Sequence, residues 1–140
     1  MIWKQKADLE SINHRGKNTM LTLLDIEFIE AGDNYMIAKM PVDHRVHQPI
    51  GIMHGGASCV LAETVGSTAA NFVVDQTKHY CVGLSINTNH IRSIKSGVIF
   101  AKAIPHHLGR STQVWNIDIT DENQKLISTT TLTMAVLNKA

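Results

Sequence analysis

The clearest periodic signal in the chain begins near Gly55 and runs to about Val74. Leu61, Ala62, Val65, Ala69, Ala70, Phe72 and Val73 fall on one arc of a 3.6-residue wheel, and Glu63, Thr64, Ser67, Thr68 and Asn71 fall on the opposite arc. The apolar arc is wide and the polar arc carries one charge, which predicts a long helix that is mostly buried. After Asp75 the pattern changes to strands: Tyr80 to Asn89, Val98 to Ile104, Thr112 to Thr120 and Leu126 to Leu137. Turn chemistry at Ser96-Gly97, Leu108-Gly109-Arg110 and Asp121-Glu122-Asn123 separates them. Alternation is sharp in the third of these strands, with Val114, Asn116 and Asp118 set against Trp115, Ile117 and Ile119.

The first fifty residues are less regular. Asp8 is placed to cap a short helix ending near Gly16, a strand is expected from Leu21 to Ile29, and Gly32-Asp33-Asn34 turns the chain into Tyr35 to Met40. Pro41 and Pro49 bracket an irregular stretch, Val42 to Met53. Such short turns force antiparallel neighbours, because a parallel crossover needs a dozen residues or more. The expectation is one α+β domain over residues 1–140, an antiparallel sheet on one long central helix.

Composition narrows the function classes. The 140 residues carry a formal charge of +1, which argues against electrostatic capture of nucleic acid or an anionic membrane. Two cysteines, Cys59 and Cys81, are too few to staple a secreted scaffold and read as free thiols. Met1-Ile2-Trp3-Lys4-Gln5-Lys6 lacks a signal-peptide pattern, no apolar run approaches a membrane span, and a cytoplasmic protein is expected. The near-neutral total hides one feature: between Arg45 and Asp75 the only Asp, Glu, Lys or Arg is Glu63.

That carboxylate is the first candidate for chemistry. Uncharged neighbours would desolvate it and raise its pKa, as suits a general base or a nucleophile; a buried Glu paired with an Arg or His from elsewhere is the alternative. His54-Gly55-Gly56 opens the same helix, where free backbone N–H groups and the helix dipole can stabilise an oxyanion; a tight turn that needs glycine is the alternative. His54 and Gln48 could orient a carbonyl or a water, and Ser67 lies one turn beyond Glu63. The loop histidines His44, His47, His106 and His107 form no metal-ligand motif, and neither a G-x-S-x-G elbow nor a phosphate-cradling glycine motif occurs. Basic residues gather in two turns, Asn89 to Lys95 and His106 to Ser111. If these converge on one rim they would suit the phosphates of a nucleotide-like ligand; ordinary solvated strand ends are the alternative.

Taken in order, Gln48 to Ser58, Leu61-Ala62-Glu63 and Gly66-Ser67 resemble the hot-dog-fold acyl-CoA thioesterases. Met1 to Lys4, Met40 to Asp43, Val82 to Leu84, Asn89 to Ser93, Leu108 to Arg110 and Gln113 to Trp115 extend the likeness over essentially the whole chain. The nearest branch holds 1,4-dihydroxy-2-naphthoyl-CoA hydrolases and phenylacetate-pathway thioesterases, which points toward menaquinone biosynthesis. The resemblance implies a sheet wrapped around the central helix, homodimers assembling to a homotetramer, and hydrolysis of an aromatic acyl-CoA without metal or other cofactor. It assigns Glu63 as nucleophile or general base, Gly55 as oxyanion donor, and Gln48 and His54 as orienting groups from the facing subunit. Ser67 would support the acyl end, near Thr68, Asn71 and Phe72. Val82, His90, Arg92, Ser93 and the segment His106, His107, Leu108, Gly109, Arg110 and Ser111 would line the coenzyme A side. A non-catalytic acyl-CoA-binding module and, behind it, a hot-dog dehydratase are the competing functions; the His-Phe-Pro-Gly pattern of the dehydratases is absent.

Overall fold

The computed structural model describes residues 1–140. Helix α1 (Leu9–Arg15) starts on Asp8, whose carboxylate accepts from the Ser11 N–H, and stops at Gly16. The expected strand from Leu21 is corrected: Met20–Leu23 is a single helical turn, α2, capped by the Thr19 hydroxyl, and strand β1 begins only at Glu27 and ends at Ala31. Asp25, at φ +53°, reverses the chain between them. The run Met-Leu-Thr-Leu-Leu has no period of its own, so a cap and a reversal decide its conformation.

Strand β2 (Met36–Val42) leads through a one-turn 3-10 helix, His44–Val46, to the long helix α3 (Gly55–Val73). Strands β3 (His79–His90), β4 (Gly97–Leu108), β5 (Thr112–Thr120) and β6 (Leu126–Asn138) follow. The six strands form one antiparallel sheet in the order β1-β2-β4-β5-β6-β3. β4 runs four residues further than its pattern predicts, through Pro105 to Leu108, with a bulge between Pro105 and His107.

The core lies where α3 crosses the middle of the sheet. Leu61, Ala62, Val65, Ala69 and Ala70 are fully buried, as are Met36, Met40, Ile99, Trp115, Ile117, Leu132 and Met134. Each large side chain here contributes roughly 1.5–3 kcal/mol of transfer free energy. Two polar side chains in this layer are satisfied in sequence: Trp115 Nε1 donates to Gln113 Oε1 at 2.8 Å, and Gln113 Nε2 donates to the Ala70 carbonyl at 3.4 Å. The β5 alternation holds, with Trp115, Ile117 and Ile119 buried and Asn116 and Asp118 exposed.

β3 is different. It is the end strand of the sheet, twelve residues long, paired on one side by β6 and open on the other. Along it only Cys81 is buried, while Tyr80, Val82 and Leu84 stand exposed. Asn71 ties the strand down from α3: its Oδ1 accepts from the Cys81 N–H at 2.8 Å and its Nδ2 donates to the Cys81 carbonyl at 3.1 Å. Asn71, expected at the acyl pocket, thus joins helix to strand and also lines the cleft beside α1, with Thr68 and Phe72. Burial pushes the Cys81 thiol up to about 11, so it stays protonated.

Candidate active site

The loop before α3 is built to hold its first turn in place. Asp43 accepts from the Arg45 backbone N–H and from its guanidinium at 2.7 and 3.0 Å, and Arg45 reaches on to Asp25 and the Leu23 carbonyl. These guanidinium bonds, with the Arg45 N–H, hold the Asp43 carboxyl well below the usual carboxylate range. Downstream, the Met53 N–H donates to the Ile94 carbonyl and the His54 N–H to the Val46 carbonyl. Gln48 Oε1 accepts from the Ile50 N–H at 2.7 Å, which leaves its amide NH2 free to donate.

His54 is the N-cap of α3. Its Nδ1 accepts from the Gly56 N–H at 2.8 Å, so in the neutral ring the proton sits on Nε2, facing away from the cap. The Gly56 amide is thereby used, and the Gly55 N–H, with no intrahelical partner, is left for a ligand. A side chain at Gly55 would collide with the His90 ring, since a Cβ there would lie 2.7 Å from His90 Nε2. His90 and Gly55 thus form one wall of a cleft of about 290 Å³, which also gathers Gln48, Arg92 and Ser93. Five of the residues expected at the site meet here, at the positive end of the helix.

Glu63 is not among them. It lies on the outer arc of α3, exposed, with its carboxylate against β3, where a Cβ on Gly83 would come within 2.5 Å of Glu63 Oε1. The burial expected around this residue is not supplied within one chain. Nor do Glu63 and Gly55 meet: eight residues of helix separate them by about 12 Å along the axis. A reacting carbonyl must lie about 3 Å from both an attacking group and an oxyanion donor. One chain therefore holds these two candidate groups apart.

The remaining candidates fall in three places. Val82, 41% exposed, lies beside Gly83 on the open strand. Ser67 lines a second cleft of about 360 Å³ between α1 and α3, together with Thr68 and Phe72. His106, His107 and Leu108 are exposed at the far end of β4, and Gly109, Arg110 and Ser111 line a third cleft of about 590 Å³ with Lys4, Asp75 and His79. The expectation that the two basic turns share one rim is corrected. They lie at opposite ends of β4, separated by roughly 40 Å of extended strand. Sequence reasoning also missed Gly83, whose small size admits the Glu63 carboxylate.

Comparison with known proteins identifies the family and the fold. Residues 50–128 match the model of the thioesterase superfamily. The 1,4-dihydroxy-2-naphthoyl-CoA hydrolase of Escherichia coli K12 is 46% identical over 137 residues, covering 98% of this chain and 100% of that protein. A mutant form of thioesterase PA1618 from Pseudomonas aeruginosa superposes with a TM-score of 0.98 at 45% identity, over 99% of this chain and 100% of that one. Thioesterase HI1161 from Haemophilus influenzae gives a TM-score of 0.95 at 44% identity, over 99% of this chain and 96% of that one.

Proposed function

The chain belongs to the thioesterase superfamily, and on that premise we propose that it hydrolyses an aromatic acyl-CoA to the free acid and coenzyme A. The substrate named for the Escherichia coli relative, 1,4-dihydroxy-2-naphthoyl-CoA, is the first to test. No helix is long and apolar enough to cross a membrane.

The observation that carries the mechanism is the spacing of Glu63 and Gly55 on one helix, eight residues or about 12 Å along its axis. Two copies joined antiparallel along their open β3 edges would put the Glu63 of one opposite the Gly55 end of the other, giving two equal sites per dimer. In each, the thioester oxygen takes the Gly55 N–H, while Gln48 and His54 Nε2 orient the carbonyl and the attacking group. Glu63 of the second copy either attacks the carbonyl carbon, giving a mixed anhydride that water cleaves, or takes a proton from water that attacks directly. In both routes the C–S bond breaks, coenzyme A leaves as a stable thiolate, and the water oxygen ends in the acid. His90, Arg92 and Ser93 lie on the coenzyme A side. Because His106 to Ser111 stand at the opposite end of β4, they can reach the phosphates of the same substrate only from another copy of the chain.

The test is a complementation. Glu63→Gln and Gly55→Pro chains, the second lacking the donor N–H at a first helical position that accepts proline, are each expected to be inactive alone. They are co-expressed and assayed by thiol release on a panel of aryl-, short- and long-chain acyl-CoA esters. A random mixture contains dimers with one intact site and should recover up to about a quarter of the wild-type rate on the aryl esters. A mixture no faster than its two components overturns the shared site. Tight acyl-CoA binding by the wild-type chain without turnover of any ester overturns hydrolysis itself.

A further inference from the structure

The four arginines of the chain divide unevenly. Arg45 forms ion pairs with Asp25 and Asp43 at 2.8 and 2.7 Å. The side chains of Arg15, Arg92 and Arg110 make neither an ion pair nor a hydrogen bond, and each lines a cleft. Arg92 and Arg110 lie on the coenzyme A side in the reading above. Arg15 lies elsewhere, at the last residue of α1 and the mouth of the cleft between α1 and α3.

That cleft begins where the acyl group would point. Ser67 stands one turn, about 6 Å, beyond Glu63 on the same arc of α3, and it forms part of the cleft wall. The lining is mixed: Ile12, Leu21, Phe28 and Phe72 form its apolar side, and Asn71 and Gln76 add amides to the polar one. At the mouth the Arg15 guanidinium sits 5.9 Å from the Phe72 ring centroid, with the Thr68 hydroxyl also on the cleft wall. A volume of about 360 Å³ suits a ring system and lies at the small end of ordinary ligand pockets.

We propose that this cleft receives the acyl group and that Arg15 selects aromatic acyl groups bearing an acidic ring oxygen. The ring lies along the apolar side of the cleft, and the guanidinium donates to a phenolic or phenolate oxygen at the far edge. A charge-assisted hydrogen bond of that kind is among the stronger ones available to a half-open site. The stacking over Phe72 orders the guanidinium before the ligand arrives, so less side-chain freedom is lost on binding. This deepens the thioesterase reading and rests on it for the direction of the substrate.

Arg15→Met keeps the length of the side chain and its contact with Phe72 while removing the charge and the donors. The measurement is the ratio of kcat/KM for hydroxylated against unsubstituted aryl-CoA esters. That ratio should fall about tenfold in Arg15→Met and be partly restored in Arg15→Lys. An unchanged ratio overturns the proposal, as does a change in melting temperature alone, which is what a purely helix-capping arginine would give. Titration of free hydroxynaphthoate into each protein separates the two readings. Arg15-dependent binding in a wild-type chain that cleaves no thioester would sink the hydrolase and keep the cleft, whereas turnover with Arg15-independent binding would do the reverse.

Discussion

The inner face of α3 and its outer arc are made from the same nineteen residues, yet they solve opposite problems. Inward, Leu61, Val65 and Ala69 are sealed against β4, β5 and β6, and the polar groups of Gln113 and Trp115 are paired within the layer. Outward, Glu63 is exposed beside a strand whose second edge has no partner. The first surface is finished by one chain and the second is not. Stability and activity are therefore expected to separate cleanly under mutation, and each of the following experiments presses on that separation.

The largest effect falls on the outer arc. On the proposed mechanism Glu63→Gln should lower kcat by about a thousandfold or more, and, because the side chain is exposed, leave the melting temperature nearly unchanged. Comparable loss of stability would show that Glu63 is structural. The mirror experiment is Leu132→Ala, which removes a fully buried side chain from beneath the helix. It should cost about 2–5 kcal/mol in denaturant unfolding, with the kcat of the surviving folded protein close to wild type.

A smaller effect is expected at the boundary between the two regions. Leu84, 60% exposed on the open β3 edge, can be changed to Lys without disturbing the core. Sedimentation should show association weakened by about tenfold or more, with activity falling in step and the stability of the chain altered by less than about 0.5 kcal/mol. Unchanged assembly would exclude pairing along this edge.

The smallest is a pH effect in the loop that holds Gln48 and His54. Arg45 holds the folded-state Asp43 carboxyl below its unfolded value, so the pair stabilises the fold fully above about pH 4. As the pH falls further Asp43 takes up its proton and that contribution is lost. The gap between wild type and Asp43→Asn in thermal melts should be present at pH 7, modest because the pair is exposed, and should narrow progressively as the pH falls below about 4. A gap that widened on acidification would contradict the assignment.

Much of the fold is legible in the sequence where one period dominates. The helix from Gly55, the β5 alternation and the two later turns at Leu108 to Arg110 and Asp121 to Asn123 are found where the pattern puts them. Ser96-Gly97, by contrast, closes no hairpin, because β3 and β4 are not neighbours in the sheet and residues 91–96 cross between them. Nor is the stretch around Met20 to Leu24 where the pattern puts it, because five residues without a period are decided by the Thr19 cap and the Asp25 reversal. At the site, the residue types are readable but their grouping is not. Gln48, Gly55, His90, Arg92 and Ser93 converge through the Met53–Ile94 contact and the packing of His90 on Gly55, links between segments some forty residues apart. The supposed meeting of the two basic turns fails for a simpler reason, which is that a strand has two ends. Fold class and hydrolase character followed from motif order; the division of labour along α3 needed the helix measured in ångströms.

One consequence of the open β3 edge concerns quantity rather than shape. An enzyme whose site needs two chains is produced by a second-order encounter, so its specific activity depends on how much of it there is. Well above the dissociation constant of the pair, every chain works. Well below it, halving the amount of protein should quarter the rate, and a progress curve started by sharp dilution should slow as pairs come apart. A cell making little of this chain would then hold it folded and idle, and a modest rise in synthesis would bring in activity more steeply than protein.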